Sequence, residues 1–171
     1  LVGGPYLLAD ELASLLPATE FSPALFDSLP AAYRAGAGMA DAFGQWMESL
    51  LGPRGLIVHD AADPQAKSLA AGIFATEIER GGVTGPLAAQ AGAAMDARGY
   101  HAPVTPQPGT IALFDLTDGR RAIRVQDGQT GRFEIEGSVE ERDALLARVR
   151  RSPAEFSPNV LLRPLVQDTL F

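Results

Sequence analysis

The sequence predicts an α/β protein carrying a small antiparallel β-meander, on three observations. A short apolar run after a glycine, Leu56 to Val58, leads into a well-capped helix. Three β-rich stretches follow one another with Asp-Gly pairs at their two connections. Elsewhere, apolar residues recur at helical spacing between Gly and Pro stops.

Residues 1–52 read as a helical segment. In Tyr6 to Leu16, the residues Leu7, Leu8, Leu12, Leu15 and Leu16 keep a helical period that Pro17 stops. Pro17, Pro23 and Pro30 punctuate residues 17–35, which predicts short helical turns and connections. From Gly36 to Leu51, the residues Met39, Phe43, Met47, Leu50 and Leu51 share one face of a long helix closed by Gly52-Pro53. That face is expected to be core, with Trp46 beside it.

Residues 53–100 read as an α/β core segment. Leu56, Ile57 and Val58, bounded by turn residues, predict a strand buried on both faces. Asp63 is a good N-cap with Pro64 at the first helical position, and Leu69, Ile73, Phe74 and Ile78 give that helix its apolar face. Strand, loop and helix together make half of a βαβ unit. A further helix, Thr84 to Arg98, is capped by Thr84 and ended by Gly99.

Residues 101–137 read as the antiparallel β module. After Pro103, Pro106 and Pro108 come three strands, Thr110 to Leu116, Arg120 to Gln126 and Arg132 to Glu136, joined through Asp118-Gly119 and Asp127-Gly128. Residues 138–171 read as a helix plus a tail. Ser138 to Glu141 (SVEE) has the form of a capping box for a helix running to Arg151, with Leu145, Leu146 and Val149 turned inward. Arg148, Arg150 and Arg151 in its last turn serve either as a solvated cap on the helix dipole or as a phosphate site.

Composition narrows the function. The 171 residues suffice for one domain or for part of a larger one. A net charge of -7 argues against binding to nucleic acid. The absence of cysteine excludes a disulfide framework, a thiolate nucleophile and a cysteine zinc site. No apolar run is long enough for a membrane helix and the opening residues lack a signal-peptide pattern, so a cytoplasmic protein is expected. Lys67 is the only lysine, so a phosphate-binding GxxxxGK[ST] loop is missing. The GxG of Gly36 and Gly38 meets Asp41 where a third glycine belongs, and no GxSxG elbow occurs. His59 and His101 lack metal-ligand spacing, and no metal site is expected.

Several polar residues stand out as candidates. Asp60, beside His59 at the C-terminal end of the expected strand, either holds a ribose, an amine or a water, or makes a turn toward Asp63. The Tyr100-His101 pair is either a pocket wall or ordinary packing. In the tail, Asn159 either caps the next segment or orients a substrate amide. Arg163, if buried among its leucines, needs a partner: Asp168 inside the chain, or a substrate carboxylate or phosphate outside it. Gln167 and Asp168 are the remaining candidates to line a crevice with Asn159. Among these residues none reads as a nucleophile, and the catalytic residues stay unassigned.

The tail, Phe156 to Phe171, reads FSPNVLLRPLVQDTLF, and Gly55 to Pro64 reads GLIVHDAADP. With the Tyr100-His101 step between them, these stretches resemble the bacillithiol biosynthesis cysteine-adding enzymes, a family of cysteine ligases that carry FSPNVLLRPLxQDxL and GLxxxDxxDP. The resemblance implies part of a Rossmann-like core with flanking helices and a β-meander insertion, within a longer protein that ends in a coiled coil and forms a homodimer. It implies a carbon-nitrogen ligase joining cysteine to glucosamine-malate after a carboxylate is activated, with ATP as an allowed cosubstrate, and Asn159, Arg163, Gln167, Asp168 and Asp60 as substrate-binding residues. The alternative is a non-catalytic binding or scaffolding α/β domain without a nucleotide-binding half.

Overall fold

Two units divide the chain, Leu1–Asp60 and Ala61–Phe171. The computed structural model describes residues 6–126 and 131–170, so the expected Asp127-Gly128 turn lies outside the described residues.

Among the described residues, the first unit holds the helices α1 (Tyr6–Leu15), α2 (Ser22–Ala32) and α3 (Met39–Leu51). Residues 22–32 form one helix rather than the expected short turns. Pro23 sits in its first turn, where no N–H is needed, and Pro30 falls close enough to its end to forgo only a late bond. The face of α3 turned inward also differs from expectation. Ala42 is fully buried, whereas Met39 and Phe43 are 58% and 53% exposed. A small alanine permits close approach, and Trp46 joins the two helices by donating Nε1–H to Ser28 Oγ at 2.8 Å while meeting Tyr33 edge-on.

Leu56 to Val58 form no strand, and Ile57 is 77% exposed. A strand needs a neighbouring backbone to bond, and the described part of this unit offers only helices. Gly55, at φ 92, ends the 3-10 turn Gly52–Arg54 that closes α3.

The second unit is built on a five-stranded antiparallel sheet of order β4-β3-β2-β1-β5, from β1 (Thr110–Asp115), β2 (Arg121–Val125), β3 (Arg132–Ile135), β4 (Ser138–Glu141) and β5 (Phe156–Pro158). Its helices are α4 (Pro64–Leu69), α5 (Ala71–Glu79), α6 (Thr84–Asp96), α7 (Arg142–Arg151) and α8 (Arg163–Leu170). Phe74 and Ile78 from α5, and Leu145 and Val149 from α7, meet Leu113, Ile123, Phe133 and Phe156 of the sheet in one core, which Leu162 and Val166 extend. Burying such side chains supplies about 1.5–3 kcal/mol each.

Three strands and their order match the sequence reading, and two further strands do not appear in it. Ser138 to Glu141 is β4 and not a capping box, because Glu136 and Gly137, at φ 48 and 82, make a two-residue turn that pairs Ile135 with Ser138. Helix α7 therefore starts at Arg142. Asp63 caps α4 as expected, its carboxylate accepting from Gln65 N–H at 2.8 Å, but the helix expected beyond it breaks at Ala70 into α4 and α5. Lys67 is buried and donates Nζ–H to Ala154 O at 3.1 Å.

Candidate functional site

Along β1, Thr110 faces Arg124 and Phe114 faces Ala122, so four steps on this strand match two on β2. The two extra residues bulge the strand, a device common beside functional sites. A cavity of about 320 Å³ opens there, lined by residues 110–114 of β1, by Arg120 and Ala122, by Gly85 with residues 104–107, and by Asn159, Val160, Leu161 and Arg163. Its size is that of a small-molecule site.

Strand β5 runs antiparallel to β1, with Ser157 opposite Phe114, and the ladder continues as Asn159 N–H donates to Ala112 O at 2.9 Å. In a regular antiparallel pair, Ala112 N–H would return a bond to Asn159 O. Instead Asn159 O accepts Arg163 N–H at 3.0 Å, which starts the turn into α8, and Ala112 N–H donates to Glu77 Oε1 at 2.8 Å. Glu77 is 3% exposed. Its other oxygen accepts the hydroxyl of Thr84, so this hydroxyl is engaged across the α5–α6 turn and does not cap α6 as expected.

The Asn159 side chain is an N-cap. Its Oδ1 accepts Leu161 N–H at 2.9 Å and Leu162 N–H at 3.3 Å. Those two donors fix which amide atom is oxygen, and Nδ2 makes no hydrogen bond among the described residues. Asn159 therefore caps the following segment, one of the two readings made from sequence, and its Nδ2 keeps two N–H donors. Arg163 lines the same cavity and is exposed. The condition for an internal ion pair is absent, and no salt bridge joins Arg163 to Asp168 among the described residues. Gln167 and Asp168 lie farther along α8, exposed, and are not among the lining residues. Asp60, also exposed, is the last residue of the first unit.

Sequence reading missed Arg120, Phe114 and Glu77. Arg120 stacks its guanidinium 4.0 Å from the Phe114 ring centroid at the cavity. The only signal for it was a charge after the Asp118-Gly119 turn. Glu77 reads as one more acidic residue on a helix.

Two of the three arginines in the last turn of α7, Arg148 and Arg150, have partners inside the protein. Arg148 donates to Asp115 at 2.5 Å and to Glu140 at 3.0 Å, and lies over Phe156; Arg150 pairs with Glu79 at 3.3 Å. Asp115 is fully buried and also accepts from Thr117 and Arg121. Burial pushes its pKa up, and the hydrogen bonds from Thr117, Arg121 and Arg148 outweigh it, leaving it at about 2. The bond to Asp115 raises the pKa of Arg121, and for Arg148 burial lowers the pKa but Asp115 and Glu140 together raise it by more. This cluster joins α7 to the meander. Among the described residues no group of three acidic or histidine side chains is placed to hold a metal, and no helix is long and apolar enough to cross a membrane.

Comparison with known proteins gives one family. The family model described as "Bacillithiol biosynthesis BshC, N-terminal Rossmann-like domain" matches residues 6–171. The chain is 37% identical over 171 residues to "Putative cysteine ligase BshC" of Salinibacter ruber, covering 99% of this chain and 31% of the relative. Relatives of the same name from Koribacter versatilis and Chlorobaculum tepidum are 33% and 30% identical, over 85% and 94% of this chain and 27% and 28% of their own lengths. The chain therefore spans less than a third of these relatives.

Proposed function

Because this chain belongs to the bacillithiol biosynthesis BshC family, matching its N-terminal Rossmann-like domain, we propose that it supplies a substrate-binding face of a cysteine ligase that joins cysteine to glucosamine-malate through a carbon-nitrogen bond. The observation that carries this reading is that Asn159 and Arg163, both from the tail, line one cavity beside a bulged strand. The Asn159 Nδ2 group has two donors to offer a carbonyl or carboxylate oxygen. The Arg163 guanidinium suits a carboxylate through its two-pronged donor geometry. Arg120 adds a second positive charge on the cavity wall.

What the face does is hold an anionic substrate with its reacting group oriented, which converts encounter into a near-unimolecular step. Lys67 is buried with its Nζ donating to a backbone carbonyl, so it is not the group that meets nucleotide phosphates. We assign carboxylate activation, with ATP as the cosubstrate, to parts of a full-length enzyme beyond this face. We also propose Gln167 and Asp168 on α8, and separately Asp60 in the first unit, as substrate contacts.

The test uses an enzyme of full family length that carries this sequence, given cysteine, glucosamine-malate and ATP, with product followed by mass spectrometry. Asn159→Ala and Arg163→Ala are each expected to raise KM about tenfold, the loss of one site hydrogen bond or more. Wild-type kinetics in both variants would remove the cavity from the substrate path.

A further inference from the structure

We propose that Glu77 is the positioning residue of this cavity: its buried carboxylate takes the ladder bond that Asn159 O gives up, and so lets the chain switch from strand to helix with Asn159 at the cavity. The inference rests on reading the cavity as the substrate face.

The bond pattern carries it. At the Ala112–Asn159 step, one of the two expected ladder bonds is present, from Asn159 N–H to Ala112 O at 2.9 Å. The other is divided between two new partners. Asn159 O accepts from Arg163, which begins a helical turn, and Ala112 N–H goes to Glu77. A buried amide without an acceptor is costly, and burial of Ala112 is nearly complete at 2% exposed. Without Glu77, Ala112 N–H would compete with Arg163 N–H for the carbonyl of Asn159. Winning that competition would pull the chain back into the ladder and turn the Nδ2 donors of Asn159 out of place.

Glu77 is itself held. One carboxylate oxygen binds β1 and the other binds Thr84 at the start of α6, so its rotation is restrained from both sides. A glutamine can reproduce this arrangement. Its amide oxygen would accept from Ala112 N–H, and its NH₂ would donate to Thr84 Oγ. The role requires an acceptor at one place and no negative charge.

The experiment is a kinetic cycle in the full-family-length enzyme, with glucosamine-malate as the varied substrate. Glu77→Leu is expected to raise KM about tenfold, Glu77→Gln to stay within about threefold of wild type, and Glu77→Leu combined with Asn159→Ala to be no worse than Asn159→Ala alone, because one acts through the other. If Asn159→Ala raises KM while Glu77→Leu lowers only Tm, or if the two effects add, Glu77 is structural and the inference fails while the cavity reading stands. If Asn159→Ala leaves KM unchanged, the cavity reading fails and takes this inference with it. Should Glu77→Leu not fold, Thr84→Val is the second variant: it frees one oxygen of the carboxylate and is expected to raise KM about threefold. An unchanged KM in Thr84→Val would then overturn the proposal.

Discussion

Arg148 Nη1 donates to Asp115 Oδ2 at 2.5 Å, binding the last turn of α7 to the end of β1. Asp115 has no exposed surface, and Arg121 bonds its other oxygen at 2.7 Å. Removing one arginine leaves part of a buried charge without compensation. Arg148→Ala is expected to cost about 3 kcal/mol in urea denaturation. Arg150→Ala, which breaks only the exposed pair with Glu79, should cost less than about 0.5 kcal/mol. Equal costs for the two would contradict the buried-pair account.

The same aspartate gives the unit an acid-sensitive term. Its folded pKa of about 2 lies below its ordinary value of 3.8. The folded chain therefore favours the carboxylate more than the unfolded chain does. Its contribution is fully present above the unfolded pKa and is lost as pH falls through the folded one, a window from about pH 4 to pH 2 worth about 2 kcal/mol. Stability measured at closely spaced pH values should show this loss, and Asp115→Asn should flatten it.

At Asn159, capping and donation can be separated with one atom. Asn159→Asp keeps an acceptor for Leu161 N–H and Leu162 N–H but deletes the Nδ2 donors. Its Tm is expected to stay near wild type while KM rises at least as much as in Asn159→Ala, since a negative charge now faces an anionic ligand. Asn159→Ala loses the cap as well, about 1 kcal/mol. A normal KM in Asn159→Asp would show that only the cap matters.

Two glycines with positive φ differ in what surrounds them. A Cβ at Gly137 would meet nothing within 4 Å, so Gly137→Ala carries only the left-handed strain of about 1–2 kcal/mol. A Cβ at Gly82 would come within 3.3 Å of Ile111 Cγ2 as well. Gly82→Ala is therefore expected to destabilise more, by about 1 kcal/mol beyond Gly137→Ala. Denaturation midpoints decide the order.

How much of this was legible follows from what each signal measures. The three strands of the meander could be read because Ile111, Leu113, Ile123, Phe133 and Ile135 are β-formers between turn residues. Strand β4 was hidden because SVEE satisfies the capping-box pattern, and the Glu136-Gly137 turn that decides against it has no Asn or Asp to announce it. The helical period of α3 was correct but its inward face was not, because Ala42 permits close approach and Trp46 is held by its hydrogen bond to Ser28, while Met39 and Phe43 stay exposed. Leu56 to Val58 carry a strand's composition without a partner in the described residues, and composition alone cannot pair a backbone. In the site, Asn159 and Arg163 came from the tail's order of residues, whereas Glu77 depends on a contact 35 positions away in the chain, to Ala112.

Strand β5 has a further consequence, for what the sheet can join. Its inward groups bond β1 at Ser157, so the groups facing away belong to Phe156 and Pro158. Phe156 N–H is already spent on Pro153 O, and a proline has none to give. An arriving strand would find no amide donor on that margin. This margin of β5 therefore offers no amide donor to a second edge, which protects the sheet from edge-to-edge aggregation through β5.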